Sequence, residues 1–299
     1  MNRLPLSSKF RHVVFPGQIA RRHPLPIARL TQAPPLPRCG GTPISAEGMA
    51  FLEWLFSKAG LDARLYRFET LQRRLPACLR GIRASSVAQA RRTLEQSPAL
   101  VEAALSALLI GVTSFFRDLP VFEALRDQVL PALRRWKRAI HVWSAGCSDG
   151  AELYSIAILL AEADLLESSY LLGTDCRADA IESAKRGVFD PAAVKDVAPD
   201  LLQKYFVRNG AAFEMCRRLR IGARWQVANV LARPQPGYWD IILFRNLAIY
   251  LHSEPGAALF EKMDLSLKPG GVLVLGKSER PVGAKRLCFL SPCVYRRIR

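Results

Sequence analysis

The cues that mark a membrane, secreted or metal-bound protein are missing from this 299-residue sequence. No apolar run approaches the roughly 20 residues needed to cross a bilayer. No apolar signal-peptide core stands near the start. The seven cysteines contain no C-x-x-C pair. That argues against a zinc site and a disulfide framework, and suits a reducing cytoplasm. Cys288 and Cys293 read more simply as strand residues. No G-x-G-x-x-G is present, so a dinucleotide is not the first choice of ligand. No RNA-binding signature is found, and few aromatics stand among the arginines, which favours a protein partner over nucleic acid.

Acid is also missing locally. Residues 1–45 hold no Asp or Glu and carry +7 of the net +17; residues 46–140 carry +6 and residues 141–299 only +4. A basic part attached to a nearly balanced one suggests an anionic partner. Residues 1–45 are rich in Pro and Arg without helical or strand period, and read as a disordered basic tail. Their composition also fits a transit peptide, and Met49 is a second candidate start.

From Ala46 to Ile110 the apolar spacing is helical. Phe51, Leu52, Leu55 and Phe56 form one stripe, stopped by Gly60. Leu65, Phe68, Leu71, Leu75 and Leu79 form another, with Arg64, Arg67, Arg73, Arg74, Arg80 and Arg83 on the polar side and a possible kink at Pro76. Such a face is usually just solvated; its functional reading is a dock for an acidic helix. Further helices follow Ser85-Ser86 and Pro98. Thr113-Ser114-Phe115-Phe116-Arg117-Asp118 joins this helical region to an α/β region. The two aromatics should pack at the junction, and Arg117 can reach a ligand carboxylate or pair with a local acid.

The most informative stretch is His141 to Ser155: a short apolar strand, a turn with Gly146 and Gly150, then an apolar helix. This is the opening unit of a nucleotide-binding α/β sheet. The glycines allow close approach, and the helix N-terminus offers free N–H groups. Tyr170 to Asp175 reads as a second strand ending in an acid, placed either to hold a ribose or to cap the helix after it. Asn209-Gly210 marks a β-hairpin. Strands follow at Arg224–Val227 and Trp239–Phe244, then a helix at Pro255–Leu267. Pro269-Gly270-Gly271 reads as a turn into a strand at Val272–Gly276, with one or two more strands over Leu287–Ile298.

In this order the motifs resemble the CheR-type chemotaxis receptor methyltransferases. The family pattern T-x-F-F-R falls on Thr113 to Arg117, and W-S-A-G-C-S-x-G-E-E-P-Y-S on Trp143 to Ser155. T-D falls on Thr174-Asp175, N-L on Asn229-Val230, R-N-x-x-I-Y-F on Arg245 to Leu251, and G-G-x-L-x-x-G-x-S-E on Gly270 to Glu279. The match spans about residues 46–299. Ala151, Leu153, Phe244, Leu251 and Lys277 depart from it.

The resemblance implies a class I, Rossmann-like α/β methyltransferase sheet with a small β-hairpin subdomain, preceded by an all-α N-terminal domain. The expected boundaries are a tail at 1–45, helices at 46–118 and a methyltransferase domain at 119–299, with the hairpin insertion near 206–221. It implies S-adenosylmethionine as methyl donor and S-adenosylhomocysteine as product. Thr113, Arg117, Ala145, Gly146, Cys147, Glu152, Asp175, Asn229, Val230, Arg245 and Asn246 are then the cofactor-binding candidates. Arg117 would lie by the methionine carboxylate, Glu152 by the amino group, Asp175 at the ribose, and Asn229 and Val230 along the adenine. Arg245 and Tyr250 are the catalytic candidates at the substrate mouth. Arg64, Arg67, Arg73 and Arg74 are candidates for substrate docking. For Arg245 the structural alternative is an ion pair with Asp240 or Glu279; for Tyr250 it is a packed aromatic.

Transfer from a sulfonium is an in-line displacement, and a glutamate is already ionised at neutral pH. Alignment and desolvation remain for the protein to supply. The expected activity is methyl-ester formation on glutamates of an acidic, helical, chemoreceptor-like protein in the cytoplasm. Two alternatives stand beside it: a methyltransferase of the same build acting on another protein, RNA or small molecule, and a non-catalytic binding module that kept the fold.

Overall fold

The structure is a computed structural model that describes residues 45–298 except 110, 112, 233, 234, 236 and 237. The expectations for residues 1–44 lie outside the described residues. The described residues form one compact unit.

The described residues open with four α-helices, α1 (Ala46–Ser57), α2 (Phe68–Gly81), α3 (Val87–Gln96) and α4 (Leu100–Leu108). Their starts follow the cap residues: the Ser45 hydroxyl accepts from the Gly48 N–H and the Ser86 hydroxyl from the Gln89 N–H. Helix α2 continues through Pro76. After the junction, α5 (Leu119–Ala124) runs through a π-helical turn (Leu125–Val129) into α6 (Leu130–Arg134).

Next come β1 (Ile140–Ala145), α7 (Ala151–Glu162), β2 (Ser169–Asp175) and α8 (Ala178–Arg186). A small antiparallel sheet is built from β3 (Val188–Phe189), β4 (Phe206–Asn209) and β5 (Ala212–Met215), with α9 (Pro199–Tyr205) between its first two strands. The β4–β5 turn carries Gly210 at φ +60°, as the Asn-Gly pair predicts. Helix α10 (Arg217–Gly222) leads to β6 (Ala223–Val227), followed by β7 (Trp239–Phe244), α11 (Ser253–Ser266), β8 (Leu267–Leu275), β9 (Leu287–Ser291) and β10 (Val294–Arg297).

The main sheet runs β6-β2-β1-β7-β8-β10-β9. The first five strands are parallel, and β10 is antiparallel to both neighbours. Strand order reverses between β1 and β7, the switch point outside which open α/β sheets bind ligands. Two local expectations are corrected. Strand β8 begins at Leu267, so Pro269-Gly270-Gly271 lies within it, with a register shift opposite Trp239 and Ile241. Cys293 sits at φ +67° in the turn between β9 and β10, not in a strand.

The apolar strands bury both faces, as parallel strands do. Val142, Ile241, Leu243, Val272 and Val274 face one core, together with α5, α7 and the small sheet. Trp143, Ile242, Phe244, Leu273 and Leu275 face the other, together with Phe51, Leu55, Phe56 and Leu71 of the N-terminal helices. The N-terminal helices and one sheet face therefore share a single apolar core.

One buried charge fixes the far end of the sheet. Asp240 is 0 % exposed. It takes a two-pronged contact from Arg138, a hydrogen bond from Lys268 and one from the His141 N–H. Burial alone would raise its pKa, but these donors outweigh it and hold the carboxyl below its ordinary value near 3.8. A lowered acid pKa stabilises the fold above that ordinary value, and the contribution is lost as pH falls through the lower, folded-state value. Asp240→Asn should therefore cost about 3 kcal/mol at neutral pH. In thermal melts the gap between variant and parent should close once the pH falls below the carboxyl's lowered, folded-state pKa.

Candidate functional site

A pocket opens at the switch point, lined by Tyr66, Leu109, Gly111, Thr113, Arg117, the turn Gly146–Ser148, Glu152, Asp175–Arg177, Arg245–Leu247 and Tyr250. Backbone geometry makes its floor. Gly146 lies at φ +76° and Gly150 at φ +90°. The N–H groups of Gly146 and Cys147 both donate to the Thr174 carbonyl, at 2.8 and 2.9 Å, which ties the turn to β2. A Cβ on Gly146 would meet the Leu247 side chain at 2.7 Å, and one on Gly173 would meet the Trp225 ring at 2.4 Å. Some of these glycines thus make room for the protein's own side chains. No motif in the sequence points to Trp225 beneath the turn.

Arg245, at the end of β7, is 6 % exposed. Its Nη2 donates to Asp118 Oδ2 and to the Arg117 carbonyl, both at 2.7 Å, and its Nη1 to Glu152 Oε2 at 3.2 Å. Phe122 lies under the guanidinium, 5.4 Å from centroid to carbon. The expected structural partners were Asp240 or Glu279; the observed ones are Asp118 and Glu152. Lys277 adds a contact of 2.7 Å to Asp118 from the surface. Burial works against an ionised Asp118, yet Lys277 and Arg245 hold its carboxyl below its ordinary pKa. Burial dominates at Glu152 and raises its pKa, although Arg245 and the Ser144 hydroxyl favour the charged form.

Glu279, 3 % exposed, has a larger part than the end of a motif or a partner for Arg245. It accepts from four backbone N–H groups: Asn246, Leu247, Ala248 and Gly276, at 2.8–2.9 Å. This carboxylate shapes the loop after β7, including Asn246 at φ +58°. The loop is also stitched to the N-terminal helices. The Arg67 N–H donates to the Tyr250 carbonyl at 2.7 Å, Arg67 Nε to the Leu251 carbonyl at 2.8 Å, and the His252 N–H to the Leu65 carbonyl at 3.0 Å.

The pocket brings together Thr113, Arg117, Gly146, Cys147, Glu152, Asp175, Arg245, Asn246 and Tyr250. Three cofactor candidates fall outside its lining. Ala145 is buried in the core as the last residue of β1. Val230 is buried, and the Asn229 side-chain amide donates to the Gly60 carbonyl, so it joins the sheet to the N-terminal helices. Among the docking candidates, Arg64 is paired with Asp62 through two side-chain bonds of 2.9 Å, and Arg67 is held by Leu251. Arg74 is half-buried, with an Nε that has no partner among the described residues.

The profile described as CheR methyltransferase, SAM binding domain, matches residues 111–291. The chain belongs to this family. It is 28% identical over 222 residues to the chemotaxis protein methyltransferase of Listeria monocytogenes, covering 74% of this chain and 85% of that one. It is 33% identical over 189 residues to a protein of that name from Vibrio parahaemolyticus, covering 60% and 69%. Chemotaxis protein methyltransferase 1 of Pseudomonas aeruginosa is 30% identical over 200 residues, covering 63% and 73%. The sheet is that of a class I methyltransferase, and the cofactor is S-adenosylmethionine.

The pocket suits that cofactor. A buried carboxylate, Glu152, stands beside the glycine turn, and a second, Asp175, ends the neighbouring strand. The arrangement offers one acid for an ammonium group and another for hydroxyls. Glu279→Gln should expose the importance of the loop beside them. An amide cannot accept from four N–H groups, and a lost buried partner costs about 1–3 kcal/mol. Hydrogen exchange at Asn246, Leu247 and Ala248 should accelerate, and binding of S-adenosylhomocysteine should weaken in the same variant.

Proposed function

We propose that this methyltransferase esterifies glutamate side chains on the cytoplasmic, helical part of a chemoreceptor-like protein. The observation that carries the reading is the charge at the pocket mouth. Burial raises the pKa of the Tyr250 phenol, while Arg74, Arg117 and Arg73 all act on it as neighbouring positive charges. A phenol donor with the positive charges of Arg74, Arg117 and Arg73 nearby, against the acid Glu279, suits an anionic acceptor. The names of the relatives point to chemotaxis. Among the described residues no helix is long and apolar enough to cross a membrane.

The cofactor supplies an already activated methyl group. Glu152 would hold its ammonium end, Asp175 its ribose, and Arg117, Thr113 and the Gly146–Cys147 turn would enclose it. The acceptor carboxylate needs no general base at neutral pH. The Tyr250 hydroxyl would orient it, and Arg73 and Arg74 would draw it in. Arg245 serves by position: with its guanidinium spread over Asp118, Glu152 and the Arg117 carbonyl, it keeps Glu152 in place and the junction closed. The N-terminal helices supply the mouth, because Tyr66 lines the pocket and Arg67 grips the Tyr250–Leu251 backbone.

The direct test is transfer of labelled methyl from S-adenosylmethionine to a chemoreceptor cytoplasmic fragment, followed by alkali. Label released as methanol establishes a carboxyl ester; base-stable label would move the assignment to another acceptor group. Tyr250→Phe should leave S-adenosylhomocysteine affinity unchanged and slow single-turnover transfer by about 10²-fold, as loss of an aligning donor does. An unchanged rate would remove the orienting role.

A further inference from the structure

Asp175 is already fully engaged by its own chain. Its Oδ2 accepts from the Ser148 N–H at 2.9 Å, and its Oδ1 from the Arg177 N–H at 3.0 Å. The Arg177 guanidinium then closes over the same carboxylate, with Nε 3.1 Å from Oδ1 and Nη2 3.4 Å from Oδ2. The pair is largely buried, with side-chain exposures of 12% for Arg177 and 7% for Asp175. The guanidinium also lies against Gly111: a Cβ there would sit 2.3 Å from Nη1 and 2.5 Å from Nη2. Ser148 completes the ring. Its hydroxyl donates to the Gly111 carbonyl at 2.6 Å and accepts from Arg177 Nη2 at 3.3 Å.

We propose that Arg177 is an intramolecular competitor for the ribose site, holding Asp175 until the nucleoside displaces it. The step rests on Asp175 being the ribose anchor. Two hydroxyls presented to Asp175 need its acceptor positions, and the charged fork of Arg177 fills them. The ribose and adenine of the cofactor carry no anion with which a guanidinium left in place could pair. The arm must therefore swing out. Its backbone N–H contact to Asp175 does not depend on the side chain and survives the swing. Only the fraction of molecules with the arm out binds at full strength, so apparent affinity falls in proportion. Gly111 belongs to the device because the absence of a side chain leaves the space in which the guanidinium rests.

Calorimetric titration of the full chain with S-adenosylhomocysteine tests this with no methyl acceptor present. Arg177→Ala should bind about tenfold more tightly than the parent, the gain expected when a competing closed state is removed. Gly111→Ala should move affinity the same way, since a methyl at that position displaces the flexible end of Arg177. It keeps the arginine, so it also answers for Arg177→Ala should that variant fold poorly. Without ligand, Arg177→Ala should melt lower than the parent because the buried pair is lost; saturating ligand should raise its melting point by more. Asp175→Ala separates the premise from the inference. If Asp175→Ala weakens binding and neither Arg177→Ala nor Gly111→Ala tightens it, competition is overturned while the anchor stands. If Asp175→Ala binds as the parent does, the anchor fails and the competitor with it.

Discussion

The site depends on a single buried cation. Moving Arg245 out of water costs several kcal/mol unless its charge and donors are met, and no one segment of the chain meets them. Asp118 and the Arg117 carbonyl come from the junction after the N-terminal helices, Glu152 from the first turn of α7, and the guanidinium itself from the end of β7. Pairing the two Nη groups of Arg245 therefore brings three distant stretches together at the point where strand order reverses. The pocket walls are set by that contact: Glu152 faces inward, Arg117 is drawn to the rim, and the loop after β7 is directed over the glycine turn.

A second constraint acts on that loop. Glu279 replaces the hydrogen bonds that four N–H groups would otherwise make with water, and so fixes a loop conformation that includes a left-handed Asn246. The N-terminal helices clamp the loop from its other side through Leu65 and Arg67. The helical region thus has two roles that one core makes inseparable. It covers a face of the sheet, and it presents Tyr66, Arg73 and Arg74 to the mouth. Arg73 and Arg74 from this region act as positive charges near Tyr250, a setting in which charge speeds encounter with an anion.

Much of this was legible in the sequence. The strand–turn–helix at His141–Ser155, the acid ending β2, the Asn-Gly hairpin and the helical stripes all follow from local period and turn chemistry, and the structure forms them. What was not legible were partnerships between residues distant in the chain. Nothing in the sequence near Arg245 or Glu279 says that one binds Asp118 and Glu152 while the other binds backbone alone. Asn229 illustrates the same limit: the resemblance places it along the adenine, and its side-chain amide also reaches Gly60, 169 positions away. Gly150 suggested close approach by a ligand, whereas the group that approaches it is Trp225, which also lies against Gly173. Pro269-Gly270-Gly271 looked like a turn because of its composition; it lies within β8, in the irregular stretch between the Trp239–Leu267 and Ile241–Val272 pairs.

Arg245 is proposed to build the cofactor site and not merely to touch the substrate. Arg245→Lys tests it most directly, because lysine keeps the charge but lacks the planar fork that reaches three acceptors. Titrated with S-adenosylhomocysteine, with no methyl acceptor present, this variant should bind at least about tenfold more weakly, a loss of about 1.4 kcal/mol or more. Its melting temperature should also fall by several degrees. Unchanged cofactor affinity and stability, with only methyl transfer impaired, would overturn that role and return Arg245 to the substrate mouth.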